Sequence, residues 1–177
     1  MKSKIWKFEI LGMIFISVLG SLLHFTFEWL NRCWVAGVFS AVNESTWEHL
    51  KLAVVPAILW AVLESKVFKV RANNFLCAKA AGIWLMPTLI IIFFYSYTTI
   101  LGQDLLLADI SIFIISVIIG QIVSYKIMTL PEFSQKFNTL FVLSLVILLL
   151  AFVVFTFYPP RFFLFQDPIS GQYGIIK

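Results

Sequence analysis

The chain has 177 residues, of which 61% are hydrophobic, 17% aromatic and only 12% charged, with a formal net charge of +4. An ordinary globular domain is roughly 45–50% apolar and about 25% charged. A soluble fold of this composition would therefore be one large apolar patch, which excludes a soluble enzyme, a disordered chain and a secreted disulfide scaffold. With 19 Phe and a mean hydropathy of +0.98, the expectation is an all-α, polytopic membrane helix bundle, a single integral membrane domain over 1–177.

Crossing ~30 Å of hydrocarbon takes about 20 apolar residues, and five stretches qualify: about 8–30, 48–66, 77–101, 106–126 and 138–158. The first is basic at its start and apolar after it, as in a signal peptide. It runs on into His24 and Glu28 without an Ala-x-Ala site, so it reads as a retained span. Between it and the second lies Asn31 to Val42, apolar but too short to cross, which suits a re-entrant or interfacial segment or an ordinary interfacial loop. The second span opens on Ser45-Thr46-Trp47-Glu48, which reads as a capping box with Ser45 as N-cap and Glu48 at N3. Pro56 in its middle should kink it. Tyr95, Ser96, Tyr97, Thr98 and Thr99 make a polar end to the third span, followed by Gly102-Gln103-Asp104 and Asp109. The fifth has no internal charge, and Pro159-Pro160 ends it. In the tail, 159–177, Phe162-Phe163-Leu164-Phe165 returns as apolar and Asp167 to Gly174 reads as turns, with Asp167-Pro168 as a turn former, so the tail can cover the outer mouth of the bundle.

Lys2, Lys4, Lys7, Lys66, Lys69, Arg71, Lys79, Lys126 and Lys136 fall on one side of a five-span bundle, against Arg32, Lys51, Arg161 and Lys177 on the other. By the positive-inside rule the N-terminus is cytoplasmic and the C-terminus outside. The positive charge is then a topology signature rather than a nucleic-acid footprint, and the expected partner is the bilayer. Cys33 and Cys77 belong near opposite faces and cannot pair, and no internal repeat of the transporter kind is visible.

Ionisable residues at membrane depth are the functional candidates in such a chain. Glu28, Glu44, Glu48, Asp104, Asp109, Asp167 and both histidines collect at the outer half; only Glu9, Glu64 and Glu132 fall inside. His24 and Glu28 are four residues apart on one helix face. His49, one turn into the second helix, can face them. His24, Glu28, Glu44 and His49 are the candidates for acid–base catalysis or for holding a divalent metal such as zinc. Asn43, Trp47, Glu48 and Asp167 are candidates for substrate contact, although Glu48 also has its capping role and Trp47 suits an interfacial anchor. No His-Glu-x-x-His or Cys-x-x-Cys spacing adds to the metal reading.

The run Val42-Asn43-Glu44-Ser45-Thr46-Trp47-Glu48-His49-Leu50-Lys51 resembles a motif, VNES-x-WEH-x-K, of a family of small multi-pass bacterial membrane proteins of the Firmicutes type. The likeness extends to His24-Phe25, Pro56, the stretch YSYTTILG at 95–102 and the closing FQDPISGQYG. That family carries no established activity, so the resemblance implies a bacterial plasma membrane and brings over no catalytic residues. Three functions stay open: an enzyme acting at the outer leaflet on a lipid-like substrate, a small-solute or ion binding or transport module, and a non-catalytic accessory subunit.

Overall fold

A computed structural model describes residues 2–175. It contains six α-helices: α1 (Lys2–Trp29), α2 (Trp34–Phe39), α3 (Thr46–Val62), α4 (Phe75–Leu101), α5 (Leu106–Met128) and α6 (Gln135–Phe157). A π-helical turn, Leu63–Val67, prolongs α3, and a short 3-10 turn, Phe163–Phe165, follows α6. No strand occurs among the described residues; the tail has one isolated antiparallel bridge, Gln166 to Tyr173. The architecture is the expected all-helical membrane bundle.

Four helices, α1, α4, α5 and α6, are long and apolar enough to cross a membrane. The expected second span, 48–66, is the exception. Its α-helical part is 17 residues and begins with a polar turn containing Glu48, followed by His49 and Lys51. This helix is central: Leu50, Lys51, Leu52, Ala53, Val54, Pro56, Ala57 and Trp60 are all buried. Helices α1, α3, α4 and α5 pack as a closed ring, each against two neighbours, and α6 lies outside it against α4. Neighbours in the ring run antiparallel. His24 of α1 meets His49 of α3, Tyr95 of α4 meets Thr46 of α3, and Tyr97 of α4 meets Asp109 of α5.

One end of the bundle carries Lys2, Lys4, Lys7, Lys66, Lys69 and Arg71 and is called here the basic end. There Asn74, in a left-handed conformation, joins two loops: its Nδ2 donates to Ile127 O (3.2 Å) and Pro131 O (2.9 Å), and its Oδ1 accepts from Phe133 N (2.6 Å). At the opposite end α4 closes on Gly102, whose φ of +71° suits glycine and whose N–H donates to Thr98 O.

Ser45 caps α3 as expected, its hydroxyl accepting from Glu48 N at 3.4 Å. The reciprocal half of the capping box does not form. Ser45 N donates to Asn43 Oδ1 (2.8 Å), and the Glu48 carboxylate turns inward instead. Pro56 lies within α3, which continues through it to Val62. Lacking an N–H, it leaves Leu52 O without its helical donor. The α1 backbone closes on that carbonyl at Gly20, where a Cβ would lie 2.4 Å from Leu52 O. Close helix packing through small residues is how membrane helices bury backbone polarity. Gly82 and Gly120 do the same for α4 and α5, a Cβ on Gly82 lying 2.6 Å from Gly120 O.

Gly20→Val should therefore force α1 off α3. The expected cost is about 1–3 kcal/mol of stability, as for overpacked cores, read as a lowered thermal unfolding midpoint in detergent. A wild-type midpoint would show that the α1–α3 contact is slack.

Candidate functional site

Three of the four proposed catalytic residues converge. His24 comes from the last turns of α1, Glu44 from the loop before α3, and His49 from the first turns of α3. Glu44 Oε2 lies 3.3 Å from His49 Nε2 and 3.8 Å from His24 Nε2, and the two imidazole rings stand edge to face with centroids 5.1 Å apart. One ligand atom from each of the three lies within 4.8 Å of the others. A tetrahedral ion with bonds of about 2.0–2.1 Å sets its ligand atoms roughly 3.3–3.4 Å apart. The His49–Glu44 distance already matches, and His24 needs only a small side-chain shift.

Local structure aims these groups. Asn43 anchors the loop, its Nδ2 donating to Gly174 O at 2.8 Å and its Oδ1 accepting from Ser45 N, so that Glu44 projects outward between them. His49 Nδ1 lies 2.9 Å from Ser45 O. A backbone carbonyl there can only accept, so Nδ1 carries the proton and Nε2 faces Glu44. A neutral His49 would then place a nitrogen lone pair against a carboxylate oxygen. A proton shared between the two, or a cation, resolves that contact. The hydrogen bond from His49 holds the Glu44 carboxyl below its usual range, outweighing partial burial; the charge of His49 and then that of His24 act the same way.

The cluster sits at the mouth of a cavity of about 340 Å³ between the four ring helices. Leu52, Ile90, Phe94 and Phe113 line its apolar depth, and Asp104 and Asp109 add carboxylates to its rim. Pro168 and Ile169 of the tail also line it. Asp167 itself is buried in the turn, accepting from Ile169 N (3.0 Å) and Ser170 Oγ (2.7 Å).

The other candidates lie elsewhere. Glu28 is exposed and takes both oxygens to Arg32 Nε, at 3.0 and 3.2 Å, so the helix spacing that suggested a His24–Glu28 pair does not produce one. Asn43, Trp47, Glu48 and Asp167 do not line the cavity. The Trp47 ring packs against Phe152, Phe155 and Phe165. Glu48, 2% exposed, pairs at 2.5 Å with Lys51, which is 0% exposed. Lys51 Nζ also donates to Gly37 O (2.7 Å) and Thr156 Oγ1 (2.9 Å), while Glu48 accepts from Thr156 Oγ1 (3.1 Å) and Val42 N (3.1 Å).

Sequence reasoning missed a second buried ionic group at the basic end, where Lys79 contacts both Glu9 and Glu64. The signal was present. Glu9 and Lys79 fall inside the apolar stretches 8–30 and 77–101, where any charge is conspicuous. They pass for flanking charges because each lies near its span's end.

Removing one member of a buried pair strands the other. Lys51→Met should cost about 3–5 kcal/mol and lower the unfolding midpoint sharply. Lys51→Met combined with Glu48→Gln should recover a large part of that loss, because no buried charge is then stranded. A single variant with the wild-type midpoint would show that the pair does not hold the fold.

The family model described as "Family of unknown function (DUF6512)" matches residues 1–175. No curated protein and no solved structure matches the chain. The match spans all the helices and the tail that lines the cavity, so on this sequence likeness the chain belongs to the family of unknown function DUF6512.

Proposed function

We propose that this is a multi-pass protein of the bacterial plasma membrane whose outward end carries a metal-assisted or acid–base site acting on a lipid-like molecule. The observation that carries this reading is the convergence of His24, Glu44 and His49, drawn from separate segments, on the mouth of an apolar cavity. The outward placement rests on charge. With Lys51 and Lys79 set aside as buried pairs, eight cationic residues flank one end by sequence position, against Arg32, Arg161 and Lys177 at the other.

His24 Nε2, His49 Nε2 and Glu44 Oε2 would hold a divalent ion such as zinc at the mouth of the cavity. When bound, such an ion supplies a Lewis acid that brings the pKa of its water to about 7. The chain's own residues do the rest. Ser45 O orients the His49 ring. Leu52, Ile90, Phe94 and Phe113 accept the apolar chain of the substrate and keep water from the reacting head group. Without an ion, His49 and Glu44 remain a proton-sharing pair able to act as acid and base on a head group at the mouth.

A second reading is cation binding without chemistry. It is favoured by the cavity lining, which among the described residues includes Glu44, Asp104 and Asp109 but neither Lys nor Arg.

Metal analysis separates the cases. Wild-type protein incubated with zinc and dialysed should retain about one equivalent per chain. His24→Ala and His49→Ala, checked for wild-type unfolding midpoints, should bind at least about tenfold more weakly, and Glu28→Gln should match wild type. Zinc retained without turnover of phospholipid or isoprenoid-phosphate substrates would favour cation binding alone. Folded wild-type protein that retains no zinc and turns over no such substrate would remove the enzyme reading.

A further inference from the structure

At the basic end, far from the cavity, Glu9 of α1, Glu64 of the π-helical turn and Lys79 of α4 meet inside the bundle. Glu9 and Glu64 are 0% exposed and Lys79 is 4% exposed. Lys79 Nζ lies 2.5 Å from Glu9 Oε1 and also contacts Glu64 Oε2. We propose that this cluster is a proton-binding site, in which two carboxylates and one ammonium together hold a single exchangeable proton taken from the aqueous phase.

The argument is charge balance. With all three groups ionised, the cluster carries one uncompensated negative charge in the buried interior, where an unpaired ion is strongly disfavoured. Two carboxylates sharing one site do not both stay ionised without enough positive charge between them. The charged groups that act on each carboxylate are Lys79 and the other carboxylate. From the surrounding elements, Lys4 and Lys7 on α1, Lys66 on the π-helical turn and Lys126 on α5 are exposed, and Tyr125 of α5 stacks edge-on against Trp6. Among the described residues, no second cation closes the balance. A proton on one carboxyl makes the cluster neutral, leaving the other carboxylate paired with Lys79.

Two further observations point to the same ligand. Glu9 Oε2 and Glu64 Oε1 are buried without a hydrogen-bond partner among the described residues, which leaves acceptor positions for a carboxyl proton. One turn along α1 from Glu9, the buried donors Trp60 Nε1 and Gln121 Nε2 also have no partner there. Both face Gly12, a Cβ on which would lie 2.5 and 2.0 Å from them. Buried polar atoms of this kind are usually satisfied by internal water, and water there would connect the carboxyls to a proton donor. Glu64 sits on a π-helical turn, a helix irregularity found often at functional positions.

The test is infrared spectroscopy of the full chain in detergent or lipid at neutral pH. Wild type should show a protonated-carboxyl band that shifts on isotope labelling of glutamate. Glu9→Gln and Glu64→Gln each leave one carboxylate beside one ammonium, so each should abolish the band, while Glu28→Gln, at an exposed position remote from the cluster, should retain it. Glutamine is close in shape to a protonated glutamate, so both variants are expected to fold. Should either fail to fold, the labelled wild-type band decides by its presence. No such band in wild type, or a band that survives either Glu9→Gln or Glu64→Gln, overturns the proposal. The zinc measurements at the opposite end bear on neither outcome.

Discussion

The Glu48–Lys51 pair holds the site end of this protein together. A charge at this depth survives only where its hydrogen bonds are made within the protein. Here each partner reaches beyond its own helix. Lys51 takes the carbonyl of Gly37 and the hydroxyl of Thr156; Glu48 takes the same hydroxyl and the amide of Val42. One ion pair thus ties α3 to the segment before it and to the end of α6. That segment leads directly into Asn43 and Glu44. The position of the Glu44 carboxylate between two histidines therefore depends on a salt bridge that never touches the cavity.

The ring of α1, α3, α4 and α5 explains why the polar groups separate to its two ends. At two levels the helix backbones come into close contact: Gly20 rests on the Leu52 carbonyl in the wall of the cavity, and Gly82 on Gly120 within a turn of Lys79. Toward one end the helices part enough to leave the cavity beneath His24, Glu44 and His49. Toward the other they enclose Glu9, Glu64 and Lys79, which are all buried. The two ends differ in chemistry accordingly. One is half-exposed, rich in metal-ligand atoms and beside an apolar cavity; the other is buried and suited to the smallest of ligands.

The helices were legible because apolar length alone identifies a membrane helix, and because Ser45, Gly102 and Pro159 mark ends by local backbone chemistry. His24, Glu44 and His49 were legible as a group because ionisable residues are rare in such a chain. Their partners were not. At four residues' spacing Glu28 suits His24 as well as it suits Arg32, and Arg32 prevails, since that pairing is made in the exposed turn beyond the helix. Lys51 and Lys79 resembled loop charges because each stands near the end of an apolar stretch. Nothing local distinguishes a lysine that reaches water from one that turns inward to a carboxylate on another helix.

By itself the sequence determined that this chain belongs in lipid, where its helices run, and which few residues could do chemistry. Those properties follow from composition, period and backbone preference, which act over a few residues at a time. Only the tertiary structure decided that α3 is central, that α6 stands outside the ring, and that two histidines and one glutamate share a cavity while Glu28 does not. It also decided that a second ionic cluster lies buried at the basic end. These depend on contacts between residues up to more than a hundred positions apart, such as Lys51 with Thr156 and Lys79 with Glu9, and no local pattern encodes which of several possible partners a buried charge will meet.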